Sequence, residues 1–222
     1  RKHFTIDTVD EGKRITLLFE GVATRSTVYL NGCELKHNNC GYNTFEVDIT
    51  DYIQYGKDNV LAVYVRYHQN EGWWYQGGGI YRHVWLVKTR SVAVDLYGVF
   101  IRATKKESNW QVFIDTEIRN ELFRSVTAKA VTTLIDKHGN EVLCTYGEMC
   151  IGARDKGIAK YTAEITDPHI WDIDDPYIYT VKTDIYVNDA LFDTVYDRFG
   201  FRDFEFTSDN GLILNGRHVF IY

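Results

Sequence analysis

Lys13-Arg14-Ile15-Thr16-Leu17-Leu18-Phe19-Glu20 sets Ile15, Leu17 and Phe19 on one side and Arg14, Thr16 and Glu20 on the other. A period of two is the mark of a half-buried strand. The same alternation recurs in residues 44–49, where Phe45, Val47 and Ile49 oppose Thr44, Glu46 and Asp48. It recurs again in residues 60–67, where Leu61, Val63, Val65 and Tyr67 share a face. Burying one such side chain stabilises by roughly 1.5–3 kcal/mol. A one-residue slip would forfeit that for the whole set, so the register is well specified.

Turn chemistry separates the runs. Asn31-Gly32 follows residues 26–30 and precedes Cys33-Glu34-Leu35. Asn-Gly accepts positive φ at both central positions, as a type I′ hairpin requires. Residues 50–53 read as one short helical turn with Thr50 or Asp51 as its cap. Beyond Arg90, residues 99–103, 110–119, 126–135, 141–146, 157–165, 180–187 and 191–196 read as further strands. Asp136-Lys137-His138-Gly139-Asn140 is a strong turn between two of them, and Asn188-Asp189 lies between the last two. No segment sustains a helical period. Short strands with regular turns predict an all-β chain of sandwiches. The boundary falls near Arg90, after a strand at 83–88, giving two sandwiches of ordinary domain size. Asn210-Gly211 and Asn215-Gly216 bracket Leu212-Ile213-Leu214, and the sequence stops at Tyr222 inside an apolar run. A domain rarely ends in mid-strand, so this reads as a truncation point.

Composition narrows the function classes. With 31 acidic and 25 basic residues the formal net charge is −6, and the longest basic run is Lys105-Lys106. Nucleic acid and an anionic membrane surface are therefore unexpected partners. No apolar run reaches the roughly 18 residues of a membrane span. Cys33, Cys40, Cys144 and Cys150 form no C-x-x-C pair; Cys33 with Cys40 and Cys144 with Cys150 could each close a small loop, and the plainer expectation is four reduced, mostly buried thiols. The compartment stays open between periplasmic or secreted and cytoplasmic.

Catalytic templates fail one after another. No two of the seven histidines lie within five positions, so no local zinc helix is present. No G-x-S-x-G elbow occurs. Gly77-Gly78-Gly79 is not followed by Lys-Ser/Thr and completes no G-x-G-x-x-G, so it is no phosphate loop. Asp172-x-Asp174-Asp175 lacks the glycine and downstream glutamate of a calcium loop and reads as a solvated turn. No metal and no cofactor are expected. Glycosidic cleavage needs two carboxylates, and sequence nominates no pair among 31 acids.

The densest signal is Glu71-Gly72-Trp73-Trp74-Tyr75-Gln76-Gly77-Gly78-Gly79-Ile80-Tyr81-Arg82-His83-Val84-Trp85-Leu86. Successive strand residues face opposite ways, so three adjacent aromatics cannot all be core. One reading is an interdomain seal with Arg82 pairing a local acid. The other is an edge that touches sugar.

This stretch resembles the W-Y-x-G-x-G-I-Y-R signature of the first sandwich in family 2 glycoside hydrolases, the β-galactosidase, β-glucuronidase and β-mannosidase group. Phe19-Glu20-Gly21-Val22, Val28-Tyr29-Leu30-Asn31-Gly32 and Phe45-Glu46-Val47-Asp48-Ile49-Thr50 match the family in order. Pro168-His169-Ile170-Trp171 followed by Pro176-Tyr177-Ile178-Tyr179 is similar to its P-x-L-W…P-x-L-Y segment. Phe199-Gly200-Phe201-Arg202 and Leu214-Asn215-Gly216-Arg217 resemble its F-G-F-R and L-N-G-K/R approach to the catalytic barrel. Trp73 departs from the family, which has a polar or basic residue before W-Y.

The resemblance implies a jelly-roll, galactose-binding-like β-sandwich over residues 1–90 and an immunoglobulin-like β-sandwich over 91–199. Residues 200–222 would then lead into a missing (β/α)₈ barrel, which needs about 200 residues. It places the acid/base and nucleophile glutamates in that barrel, so no catalytic residue is expected here, and it implies an opening strand lost before Arg1. Glu71, Trp74 and Tyr75 become the candidates for the edge nearest the sugar. Arg82, Trp85, Trp171 and Pro176 are assigned structural parts, Trp171 as a buried anchor. The implied partners are a β-galactoside-type carbohydrate, met in the full-length enzyme, and the barrel itself; an oligomer is left open. The competing readings are an autonomous carbohydrate-binding module and an adhesive tandem of sandwiches.

Overall fold

The structure is a computed structural model that describes residues 1–67 and 77–220. The described chain is built mainly of strands, with two short 3₁₀ turns, and divides into two compact units, Arg1–Arg90 and Ser91–Tyr222. No helix among the described residues is long and apolar enough to cross a membrane.

The first unit holds β1 (Lys2–Thr5), β2 (Arg14–Phe19), β3 (Val22–Ala23), β4 (Arg25–Leu30), β5 (Cys33–Asn38), β6 (Phe45–Asp48), β7 (Asp58–Arg66), β8 (Gly79–Ile80) and β9 (Val84–Thr89). One sheet runs β1-β7-β4-β5, the other β6-β2-β9, and β3 pairs with β8 alone. All pairings are antiparallel. Ile15, Leu17 and Phe19 meet Val28, Leu30, Phe45, Val47 and Leu61 in one core. Phe19 sits opposite Phe45 in the register, and their rings stack at 4.9 Å and 7°. Such a pair adds about 0.5–1.5 kcal/mol beyond area burial.

Asn31 and Gly32 both take positive φ (51° and 85°) between β4 and β5, as the tight hairpin demands. The short turn at Thr50–Tyr52 is a 3₁₀ turn, and neither Thr50 nor Asp51 caps it. Ile49 holds the cap position, Asp48 accepts the Thr50 N–H at 3.0 Å, and the Thr50 hydroxyl is drawn away to accept the Ile15 N–H at 3.0 Å. The expected face division of β2 also gives way: Thr16 and Leu18 are buried along with Ile15, Leu17 and Phe19.

The second unit holds β10 (Val92–Lys106), β11 (Asn109–Asn120), β12 (Val126–Ile135), β13 (Glu141–Ile151), β14 (Asp155–Thr166), β15 (Tyr179–Val187) and β16 (Ala190–Phe199). It ends in a meander of β17 (Phe204–Thr207), β18 (Gly211–Leu214) and β19 (Arg217–Val219). A β10-β11-β14 sheet faces a β13-β12-β15-β16 sheet over a core that includes Ile114, Ile118, Leu134, Val181 and Ile185. A buried hydroxyl chain ties the sheets together. Tyr161 Oη on β14 lies 2.8 Å from Thr116 Oγ1 and 2.7 Å from Thr132 Oγ1, and Thr132 lies 2.9 Å from Thr183. Gly147 on β13 makes room for the Tyr161 ring, since a Cβ there would lie 2.5 Å from Tyr161 Cδ1. Asp136 accepts the N–H groups of His138 and Asn140, each at 2.8 Å, which explains the strong turn read there.

The four cysteines are free and exposed, not buried. On β13 the alternation sends Val142, Cys144, Tyr146 and Cys150 outward, so the two thiols expected to be buried are not.

Candidate functional site

The aromatic segment is reached through its two stems. Glu71, Trp74 and Tyr75 themselves lie outside the described residues. Tyr67 closes the first stem just past β7, and Gly77-Gly78 opens the second. Gly78 approaches Tyr67 so closely that a Cβ would stand 3.2 Å from the tyrosine Cβ. Gly79 has φ +127°, a backbone state that side-chain-bearing residues rarely adopt. Pairing of Val22 with Ile80 and Ala23 with Gly79 then fixes the returning stem.

Tyr81 locks the next step. Its ring lies over Gly21, where a Cβ would meet Cζ at 2.6 Å. Its hydroxyl donates to the Gly41 carbonyl at 2.7 Å. Beside it, Glu20 gathers the polar groups of the strand that follows. Trp85 Nε1 donates to Glu20 Oε1 at 2.8 Å, His83 Nδ1 stands 3.4 Å from Oε2, and Arg82 Nε stands 3.5 Å from Oε2. The Trp85 hydrogen bond, then those of His83 and the charges of His83 and Arg82, hold the Glu20 carboxyl below its usual range against some desolvation. Arg82 thus has its local acid. Trp85 is pinned by its indole nitrogen while half of its surface (50%) stays exposed. Glu20 was legible only as an outward strand residue; its signal lay in Phe19-Glu20-Gly21-Val22.

A second cluster draws three separate motifs together in the second unit. Trp171 N–H donates to the Phe201 carbonyl at 2.7 Å, and Ile170 forms a parallel bridge with Phe201. Gly200 allows this approach, because a Cβ there would lie 3.0 Å from Trp171 Cβ. Asn215 Nδ2 donates to the Trp171 carbonyl at 3.0 Å and to Asp172 Oδ2 at 3.1 Å, and Arg217 pairs with Asp172 and Asp174. The Asn215 hydrogen bond leads the causes that lower the Asp172 carboxyl. Asp172 and Asp174 of this turn are therefore held by Arg217, and Asp175 by His169 Nε2 at 2.6 Å. Among the described residues no group of three metal-ligating side chains converges.

Trp171, expected to be buried, is half-buried. Phe201, which it bonds, is fully buried, with Trp110, Tyr179 and Phe199 rings 5.0–5.6 Å away in edge-on contact. Pro176 is exposed and sits at the centre of a tight turn closed by Tyr177 N–H to the Asp175 carbonyl at 2.7 Å.

Along this same wall, Phe100, Arg102, Trp171, Ile178, Arg198, Arg202 and Phe204 line an open groove of about 570 Å³. The Arg202 guanidinium stands 5.4 Å from the Trp171 ring centre and 5.6 Å from that of Phe204.

Comparison with known proteins places both units. Residues 1–90 match the family "Glycosyl hydrolases family 2, sugar binding domain", and residues 94–202 match "Glycosyl hydrolases family 2". A β-galactosidase of Bacteroides ovatus is 33% identical over 99% of this chain and 26% of its own length. A β-glucuronidase of Formosa agariphila is 29% identical over 99% of this chain and 25% of its own. The crystal structure of a glycosyl hydrolase family 2 member from Bacteroides cellulosilyticus superposes with a TM-score of 0.89 at 30% identity, covering 97% of this chain and 30% of that one. The chain spans about a quarter of the length of the curated relatives it matches.

Proposed function

This chain belongs to glycosyl hydrolase family 2, and on that premise we propose that its sandwiches form the non-catalytic front of a retaining, β-galactosidase-like exo-glycosidase. They brace a (β/α)₈ barrel that carries both catalytic glutamates, and they shape the mouth of its active site. The observation that supports this most is the joining of the two stems: Tyr67 against Gly78, Gly79 paired with Ala23 of β3, and Tyr81 over Gly21. A long aromatic segment is returned to a rigid base beside the Glu20–Trp85 anchor. In this reading Glu71, Trp74 and Tyr75 stand at the edge nearest the sugar. Arg82 and Trp85 hold the base of that edge as positioning residues.

The test uses the protein extended past Tyr222 by its barrel. Trp74→Ala should raise KM for nitrophenyl-β-galactoside about two- to tenfold, the worth of one aromatic contact. The same series with nitrophenyl-β-glucuronide decides between the two sugars. Unchanged KM and kcat on both substrates would remove Trp74 from the sugar edge.

A further inference from the structure

The outer face of the β1-β7-β4-β5 sheet carries an open groove of about 870 Å³, a size common among small-ligand sites. Its parts follow from the register. Ala62 on β7 lies directly opposite Tyr29 on β4, and Tyr64, two residues on, lies opposite Thr27. A small side chain therefore makes the floor beside two tyrosines, of which Tyr64 is 61% exposed. On the other side of β4, Glu34 lies opposite Tyr29 and His37 opposite Thr27. The Tyr29 hydroxyl donates to Glu34 Oε2 at 3.0 Å. His37 Nε2 stands 2.8 Å from Glu34 Oε1, and His37 Nδ1 stands 2.8 Å from Thr27 Oγ1. Glu34 is thus fixed in direction while half of its side chain (49%) stays open, and each of its oxygens keeps a lone pair for a further donor. The turn at one end of the groove is held as well. Asn31 Nδ2 donates to Asn59 Oδ1 and to the Tyr52 carbonyl, and Asn31 Oδ1 accepts the Val60 N–H, each at 2.9 Å.

We infer that this groove is a saccharide site, in which a pyranose ring lays its C–H face on Tyr64 and Tyr29 above Ala62 and gives neighbouring hydroxyls to the Glu34 carboxylate. The face of an aromatic ring is apolar and carries negative charge, which suits the weakly positive C–H groups of a sugar. An oriented carboxylate accepts two adjacent hydroxyls in charge-assisted hydrogen bonds. Residues 1–90 match the family's sugar binding domain, so the ligand that this chemistry selects is also one that the family meets. Two other occupants fit less well. A peptide docks on a sheet by adding to an edge, but β4 and β7 beneath the groove are each paired on both sides. A second copy of the chain needs a contiguous apolar patch, and among the groove residues only Tyr64 is large, apolar and strongly exposed. The inference needs no barrel and does not rest on the reading of Glu71, Trp74 and Tyr75.

Amide NMR of the 222-residue chain titrated with millimolar lactose tests this. Shifts should centre on Thr27, Tyr29, Glu34, Ala62 and Tyr64 and follow one dissociation constant. Tyr64→Ala should weaken binding about two- to tenfold, for the loss of one aromatic contact. Glu34→Gln should weaken it too, since a charged acceptor is replaced by a neutral one. Ala62→Leu fills the floor without removing a polar group and should abolish binding; if that variant does not fold, Tyr64→Ala and Glu34→Gln decide. No shifts, or shifts confined to residues 77–81, would overturn the groove assignment and leave the proposed function standing, because that function is read from KM in the extended protein. Binding that is unchanged in Tyr64→Ala and Glu34→Gln would overturn it as well. Shifts of the same amides on raising protein concentration without sugar would assign the face to a second copy and also count against the inference.

Discussion

Asn215 donates its side-chain amide to the main-chain carbonyl of Trp171, 44 positions earlier, at 3.0 Å. Its own N–H reaches the Asp203 carbonyl at 2.7 Å, and its Oδ1 accepts the Asp203 N–H at 3.0 Å. One residue thus binds the terminal meander both to itself and to the sandwich. Asn215→Ala removes all the side-chain bonds and leaves partners unpaired, at a cost of about 1–3 kcal/mol. Amide exchange should speed up in β17–β19 while β12 and β15 stay protected. Uniform acceleration across the unit would show that Asn215 is no local clamp.

Tyr161→Phe removes the hydroxyl shared by Thr116 and Thr132 between the two sheets of the second unit. Thr132 keeps Thr183, whereas Thr116 is left without its partner in that network. A loss of about 1–3 kcal/mol in urea unfolding is expected. Burial holds the Tyr161 phenol above its usual range. The unfolded phenol ionises near pH 10 while the folded one stays protonated, so this contribution is intact below about pH 10 and declines above it. The alkaline decline should be shallower in Tyr161→Phe.

Glu20→Gln tests the anchor below the aromatic segment. The Glu20 carboxyl is held low, so its stabilisation is present above the unfolded value near pH 4.3 and fades as pH falls through the lower folded value. The melting-temperature gap between the parent and the variant should be open at pH 7 and narrow steadily as pH falls below about 4.3. A gap independent of pH would mean that the charge of Glu20 does not matter.

Gly21→Ala would push a methyl group into the Tyr81 ring, because the added Cβ lies 2.6 Å from Cζ. Moving the ring sacrifices its bond to Gly41, so a loss of about 1–3 kcal/mol is expected. In the extended protein kcat/KM should fall too, since the stem of the aromatic segment shifts. A stable variant with full activity would show that Tyr81 does not position that stem.

Strand content and the chain order of the motifs were legible, because a period of two and Asn-Gly turns are local properties. What covers each face was not. Alternation in β2 marked Thr16 as outward, yet Thr16 is buried, since periodicity cannot register a second covering layer. Residue type misled in β13 as well, where Cys144 and Cys150, expected to be buried, lie exposed. Thr50 was a sound cap by type, but a strand N–H 35 positions away claimed its hydroxyl. Trp171 was expected to be buried from its place in the family motif, whereas full burial went to Phe201, which packs among Trp110, Tyr179 and Phe199. Glu20 and Asn215 act through partners 65 and 44 positions away, and only their places in family motifs hinted at a task.

Turnover of nitrophenyl-β-galactoside by the 222-residue chain, set beside the same chain continued through its barrel, bears most directly on the whole account. Silence from the short protein and steady release of nitrophenol by the long one is the predicted result. Release by the short protein at a comparable rate would contradict it.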